Sequence, residues 1–275
     1  MSTLTVASDP QDAAAVEAVE SHHTHLAGEL AGRVSMLLDA AVRDPGAADG
    51  VRTGLVAFCD RELLPHAAAE ESVLYPAAHG TTEARLLVDG MLAEHRRIEA
   101  LVGALRAAPT PVHAAVEAKA LQVLFEEHLR KENTLVLPLL AASPDVSLAG
   151  LLEGMHDLLG GHEQAGGGEG PEGAGRAEGG EEPERSGGCG GGCACGGPDG
   201  GEAPELDVRE VPHALRHATV FGALGAVPAG RAMVLVAPHD PLPLLAQIED
   251  RDPGVFSVEY LERGPQAWRL RLTRR

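Results

Sequence analysis

Apolar side chains recur every three or four residues from about residue 9 to residue 160, which is the spacing of amphipathic helices. The first stripe lies between a start signal, Asp9-Pro10, and a stop signal, Asp44-Pro45, and predicts one long helix. Three more stripes predict helices from about residue 51 to Pro76, from Thr81 or Thr82 to Pro109, and from about residue 112 to Pro138. Residues 147–159 are expected to add a short helix across one end. Because the links are short, the simplest fold over residues 9–160 is an all-α, up-down-up-down four-helix bundle.

The composition changes after the bundle, since 19 of the 34 glycines fall between Gly160 and Gly201, among Glu, Pro and Ser. Such a segment buries too little apolar surface to fold, so residues 161–204 are predicted to be a flexible acidic linker. The linker contains Cys189, Cys193 and Cys195, whose spacing is not Cys-x2-Cys and which have no evident fourth ligand. A functional metal or redox site and an adventitious one are both consistent with these thiols.

A second folded unit is predicted over residues 205–275, where strand and helix patterns alternate in the order βαβαββ. This order is typical of a small two-layer α/β domain.

The formal net charge is −19, and a field of that sign repels phosphate backbones and anionic headgroups. Neither a nucleic acid nor a membrane is therefore expected as a partner. The first twenty residues lack the basic and apolar stretches of a secretory signal, and no window approaches 18 consecutive apolar residues, so we expect a cytoplasmic protein.

Two segments repeat each other, His66-Ala-Ala-Ala-Glu70 and His128-Leu-Arg-Lys-Glu132, each with a proline six residues after its glutamate. Residues four apart lie one turn above each other on a helix, so each segment projects an imidazole and a carboxylate from one face. That face also carries apolar side chains, and buried ionisable groups are costly unless they are paired or bound to a cation. By the same spacing, Glu71 is expected to point away from the site.

The other two helices each place a histidine in register with the buried stripe, in His95-x-x-Ile98 and His23-x-x-Leu26. Four histidines and two glutamates form a six-residue set without sulfur, which suits two iron ions (Fe2+/Fe3+) or manganese, while zinc is usually satisfied by four ligands. If both carboxylates bridge, these residues leave coordination positions open for a small ligand. A single histidine-glutamate pair would be ordinary, but two copies with two matching histidines favour a metal site.

These motifs resemble the hemerythrin-like, or HHE cation-binding, family over about residues 15–160. The resemblance implies that His66 and His128 are terminal iron ligands, that Glu70 and Glu132 bridge the ions, and that His95 is the third-helix ligand. The first-helix ligand would be one of three histidines, of which the Leu26 spacing favours the second: His22, His23 and His25.

One position departs from that pattern. Oxygen-carrying hemerythrins have a second histidine one turn after the third-helix ligand, where this chain has Glu99. Glu99 is interpreted as a further ligand, as an acceptor that orients an imidazole, or as an exposed carboxylate beside Arg96. Simple oxygen storage is therefore not the expected role.

The C-terminal segment resembles a domain family of unassigned function that accompanies hemerythrin-like modules and is similar in fold to small sulfur-carrier proteins. The carrier cysteine has no counterpart after Arg209, so sulfur transfer is not expected. Elsewhere in the chain, Cys59 is expected to be a small buried core residue.

The leading functional hypothesis is a non-haem diiron protein that binds O2 or NO, or senses redox state or iron, and relays occupancy through the linker to the small domain. The alternative is a diiron enzyme that reduces peroxide or NO, oxidises iron, or donates iron for cluster repair; a sensor or carrier is favoured over it. A third hypothesis makes the metal a folding clamp without ligand chemistry.

Overall fold

The structure is a computed structural model that describes residue 7, residues 9–163 and residues 203–275. Most of the predicted linker lies outside the described residues, and so do Cys189, Cys193 and Cys195. The described part is a helical region followed by a small mixed sheet with two helices, so the predicted fold class is confirmed.

The first helix, α1, covers Pro10–Arg43 and lies where the sequence predicts it. Asp9 caps its start with a side-chain hydrogen bond to a backbone N–H of the first turn. Asp44 caps the end of α1 with its backbone and the start of the next helix with its side chain. The chain therefore reverses between two helices through a single residue.

The rest of the helical region alternates α-helical segments with π-helical segments, in which an N–H bonds to the carbonyl five residues earlier. In chain order these are α2 (Pro45–Phe58), π1 (Cys59–Leu63), α3 (Leu64–Ala69), π2 (Glu70–Leu74), α4 (Tyr75–His79), α5 (Arg85–Ala107), α6 (Pro111–Lys131), π3 (Glu132–Val136), α7 (Leu137–Ala141) and α8 (Leu148–Glu163). The segments α2 to α4 follow one another without a break, as do α6 to α7, so α1, α2–α4, α5 and α6–α7 form the four rods of the bundle. Among the described residues, no helix is both long and apolar enough to cross a lipid bilayer.

Each π segment is followed, two residues later, by a proline: Pro65, Pro76 or Pro138. The prediction that Pro76 and Pro138 end their helices is wrong, since the helices continue to His79 and Ala141. A proline has no N–H and ordinarily clashes with the carbonyl four residues earlier. The backbone N–H of the residue before each of these prolines bonds to the carbonyl five residues earlier, so the hydrogen-bond register has already shifted there and the helix accommodates the ring.

Two apolar cores fill the bundle, and the predicted ligands lie between them. The core nearer the small domain includes Leu26, Leu63, Ile98 and Phe125, and the far core includes Val19, Leu74, Met91 and Val136. Every rod contributes to both cores, so a polar layer between them is shielded from water on two sides.

The C-terminal domain follows the order β1 (Glu205–Asp207), α9 (His213–Ala226), β2 (Ala232–Ala237), α10 (Leu242–Arg251), β3 (Phe256–Arg263) and β4 (Trp268–Arg274). Its sheet has the strand order β1-β2-β4-β3, in which β1 and β2 are parallel and the other pairs are antiparallel. The parallel pair needs a crossover, and α9 provides it. The inward face of the sheet packs with α9 and α10 through Leu235, Val220 and Ile248.

Helix α9 also packs directly against α1, the helix that carries His23. A side chain at Gly32 of α1 would overlap the backbone of Thr219, and one at Gly222 of α9 would overlap the backbone of Glu29. These glycines are therefore required for the two helices to approach this closely. The small domain is thus seated on the bundle through backbone contact.

A buried ion pair lies at this junction. Arg33 pairs with Glu29 one turn earlier on α1, and both residues are at most 5% exposed. The Arg33 guanidinium lies 4.3 Å from the centre of the Phe58 ring, and Arg251 of the small domain lies 3.4 Å from Glu29 Oε1. Charges from both domains therefore meet on one face of α1.

Candidate metal centre

The structure brings together the six residues predicted as metal ligands. Each rod supplies one histidine, and the two glutamates are the first residues of π2 and π3. Their exposed fractions are His23 1%, His66 3%, Glu70 1%, His95 5%, His128 0% and Glu132 0%. So many ionisable groups in a dry layer are costly unless a cation compensates them.

The ligand atoms form two clusters that share one glutamate. Cluster A consists of His23, His66 and Glu70, and cluster B of Glu70, His95, His128 and Glu132, with the ligand atoms of each cluster within 4.8 Å of one another. In cluster A, His66 Nε2 lies 2.9 Å and His23 Nε2 3.5 Å from Glu70 Oε1. In cluster B, His95 Nε2 and His128 Nε2 are 2.9 Å apart.

Both carboxylates reach from one histidine pair to the other. Glu70 directs Oε1 toward His23 and His66, and its Oε2 lies 3.5 Å from His95 Nε2. Glu132 Oε2 lies 3.8 Å from His23 Nε2, and its Oε1 lies 3.7 Å from His128 Nε2. Each carboxylate can therefore contact two cations, one on each side.

Several buried atoms of this layer have no hydrogen-bond partner of acceptable geometry. They are Nε2 of His23, both ring nitrogens of His66, Oε1 of Glu70 and Oε2 of Glu132. Most buried polar side-chain atoms in folded proteins are hydrogen-bonded, so exceptions call for an explanation. Four of these five are the atoms that the two clusters direct at one another, and bound cations would satisfy them. The donor set therefore fits a metal.

Without a cation between them, the two glutamates have pKa values that are shifted in opposite directions. Burial alone would raise the pKa of Glu70, but the imidazoles of His66, His23 and His95 outweigh it and hold that pKa well below its ordinary value. Burial and the negative charge of Glu70 raise the pKa of Glu132 well above its ordinary value. A cation in the layer would allow both carboxylates to ionise.

Three acceptors outside the clusters orient the imidazoles, so that Nδ1 is engaged and Nε2 faces inward. His95 Nδ1 lies 2.9 Å from Glu71 Oε1, and His23 Nδ1 lies 2.7 Å from Asn133 Oδ1. His128 Nδ1 lies 3.1 Å from a carboxylate oxygen of Glu94. Such acceptors fix the tautomer and increase the basicity of a metal-binding histidine. The prediction that Glu71 points away is therefore wrong.

Two of the three acceptors follow the sequence repeat. Glu71 and Asn133 stand one residue after the equivalent glutamates, and each accepts from the histidine of a neighbouring rod. Sequence reasoning missed them, although a hydrogen-bond acceptor at the same place in both repeats was an available signal.

Tyr75 breaks the symmetry between the two halves. Its buried hydroxyl donates a hydrogen bond of 2.6 Å to Glu132 Oε1 and lies 3.3 Å from His95 Nε2 and 3.2 Å from His128 Nε2. Burial, then the charges of Glu70 and Glu132, raise the pKa of this phenol, so it holds its proton at neutral pH. The equivalent residue of the second repeat is Leu137, so a phenol faces cluster B only.

The remaining predicted positions lie outside both clusters. The His22 ring lies 5.0 Å from the His66 ring. Desolvation by the surrounding protein, and then the neighbouring imidazoles of His66 and His23, lower the pKa of His22 to about 4. His25 is exposed on α1, and Glu99 is exposed on α5. Nothing in this geometry supports Glu99 as a ligand or as an orienting acceptor.

Comparison with known families assigns the two regions separately. Residues 14–140 match the family model described as the hemerythrin HHE cation binding domain, and residues 205–274 match that of an uncharacterized conserved protein, DUF2249. Searches of curated proteins and of solved structures found no match. The clusters of buried histidine and glutamate all lie inside the first matched range. The chain therefore contains a hemerythrin HHE cation-binding domain over residues 14–140 and a DUF2249 domain over residues 205–274.

Proposed function

We propose that the bundle holds two iron ions, or manganese in their place, and that Glu70 and Glu132 each bind both. The observation that carries this proposal is the arrangement of the carboxylates, whose two oxygens face different histidine pairs. His23 and His66 would hold one ion, and His95 and His128 the other. Nitrogen and oxygen donors without sulfur are the set that suits iron and manganese.

The ligand that fits this centre is a small one, O2 or NO. The side chains that flank the histidines are almost completely buried: Leu63 0%, Leu74 1%, Met91 1%, Phe125 2% and Val136 0% exposed. They shield the clusters from water, which favours a small ligand over a bulky substrate. When bound, ferrous ions supply the electrons that such a diatomic ligand needs. Tyr75 would hold a proton at cluster B, where its hydroxyl hydrogen-bonds to Glu132.

We further propose that the protein is a sensor whose occupancy is felt by the small domain through α1. His23 lies five residues before Gly28, about 7.5 Å along the same helix, and Gly28 and Gly32 lie against α9. A shift of α1 on metal or ligand binding would therefore act on α9 directly. The contact of α1 with α9 thus offers a route that does not need the linker.

Anaerobic loading with ferrous ion tests the centre. We expect two irons per chain, and an absorption change when O2 or NO is admitted. His66→Ala should reduce the content to one iron or none, while Glu99→Ala, the matched control, should retain two. Two irons in His66→Ala would contradict the assignment of clusters A and B.

The course of the absorption change separates the functions. A change that reverses when the gas is removed supports a carrier or sensor. Repeated consumption of peroxide, NO or O2 by the loaded protein would instead establish the enzyme alternative. A loaded protein that responds to neither gas, but unfolds more easily after chelation, would be a folding clamp.

The relay has its own test, hydrogen exchange of the α9 amides with and without iron. We expect loading to change their protection in the native chain. Gly222→Val forces α9 away from α1 and should abolish that difference, whereas Gly103→Ala, which has open space around it, should not. Equal α9 protection in the loaded and metal-free native chain would refute the relay and leave the metal centre unaffected.

A further inference from the structure

An apolar groove lies on the outer face of the bundle, between the C-terminal half of α1 and helix α6, away from the metal centre. Its cavity volume is about 790 Å³, and most of its lining is aliphatic. Side chains on its walls are unusually exposed for their type: Val42 81%, Val116 61%, Val112 59%, Val123 56% and Leu38 38%. Contiguous apolar surface of this kind marks an interaction site in a protein that is otherwise charged.

Composition excludes the glycine-rich segment as the occupant. Residues 164–202 contain no leucine, isoleucine, valine, methionine or aromatic residue, so they have nothing to fill an aliphatic groove.

The groove is self-complementary in charge. Its rim carries one cation and one anion, Lys119 and Glu127, on the stripe that includes Val123. These residues stand four before and four after Val123. If two α6 helices pack antiparallel about a two-fold axis at Val123, Lys119 of each copy therefore lies opposite Glu127 of the other copy.

We propose that this groove is a homodimer interface, in which the α6 helices of two copies pack antiparallel about Val123. The contact is isologous, because the same patch serves both copies, and this is the commonest arrangement of soluble dimers. The rim charges would set the register, and the valines, which are exposed in the single chain and would become buried in the dimer, would supply the affinity.

Sedimentation velocity of the full chain across a range of concentrations tests the proposal. We expect a reversible dimer that Val116→Asp weakens by at least about tenfold, because the substitution places a carboxylate in the apolar contact. The matched control is Leu86→Asp, which replaces a leucine that is 85% exposed on α5, outside the groove, and should leave the dimer unchanged. Circular dichroism and iron content establish that both variants are folded.

A charge swap tests the register without touching the valines. Lys119→Glu and Glu127→Lys should each weaken the dimer, and the double variant should restore it. In a single copy of the chain, Lys119 donates a hydrogen bond to Gln122, and Gln122 donates one to Glu126. Glu127 accepts a hydrogen bond from Arg130. All these contacts are exposed and of little energetic value, so they do not prevent pairing between copies. A chain that stays monomeric at every concentration, a dimer insensitive to Val116→Asp, or binding of only a different protein in this groove would overturn the proposal.

Discussion

Removing the Glu71 carboxylate should weaken metal binding although Glu71 is not itself a proposed ligand. Its Oε1 accepts from His95 Nδ1 at 2.9 Å and so fixes which nitrogen of that ring faces cluster B. Loss of such an acceptor typically costs 10- to 100-fold in metal affinity. The Glu71 side chain is 42% exposed, so solvent screens its charge, and we expect the lower end, about tenfold or ~1.4 kcal/mol, for Glu71→Ala.

Competition with a chromophoric chelator under anaerobic conditions measures this loss. Glu71→Gln retains an acceptor oxygen and should lose only about two- to threefold, because the geometry survives while the charge does not. Glu99→Ala is the matched control, since it removes an exposed carboxylate one turn after His95, and should bind as the native chain does. Asn133→Ala should reproduce the loss through His23. The reasoning is refuted if Glu71→Ala binds within twofold of the native chain, or if Glu99→Ala loses as much.

Two further predictions concern stability and reactivity. Glu29→Gln should lower the free energy of unfolding by about 3–5 kcal/mol, because it leaves the Arg33 charge buried and unpaired. Glu29→Leu combined with Arg33→Met removes both charges and should be nearly neutral. Urea titration measures both variants, and a loss below about 1 kcal/mol in Glu29→Gln would count against a buried pair. Burial raises the pKa of Cys59 to about 12, so at pH 8 only about one Cys59 thiol in ten thousand is ionised. Labelling of Cys59, followed by peptide mass spectrometry to separate it from Cys189, Cys193 and Cys195, should be negligible until the chain unfolds and should rise about tenfold per pH unit while the chain stays folded. Cys59→Ala is the control that loses this slow thiol.

The fold and the six proposed ligands could be predicted because they depend on local periodicity. A histidine in register with a stripe of leucines must face the core, whichever rods surround it, and the expectation that Cys59 is a small buried residue is confirmed for the same reason. The ligand role of the six residues stays a prediction until metal is measured. The helix ends at Pro76 and Pro138 were predicted wrongly, because a proline is a stop signal only where the hydrogen-bond register is regular.

What could not be predicted depends on contacts between distant segments. Glu71 and His95 lie on different rods of the bundle and are joined by a hydrogen bond. The residue spacing within one helix contains no information about which side chains of the neighbouring rod it contacts. The seating of α9 on α1 is of the same kind. Its one local signal is the pair of glycines four residues apart, Gly28 and Gly32, which marks a face where another backbone can approach closely.

The phenol of Tyr75 stands where the other half of the repeat has the isobutyl group of Leu137, and this makes the two proposed positions unequal as chemical environments. Ions added one equivalent at a time should therefore enter in a fixed order and give one half-loaded species, not a statistical mixture. A chain filled halfway with one element and completed with another would then become a defined mixed-metal protein, in which each position can be observed by its own spectroscopic signal.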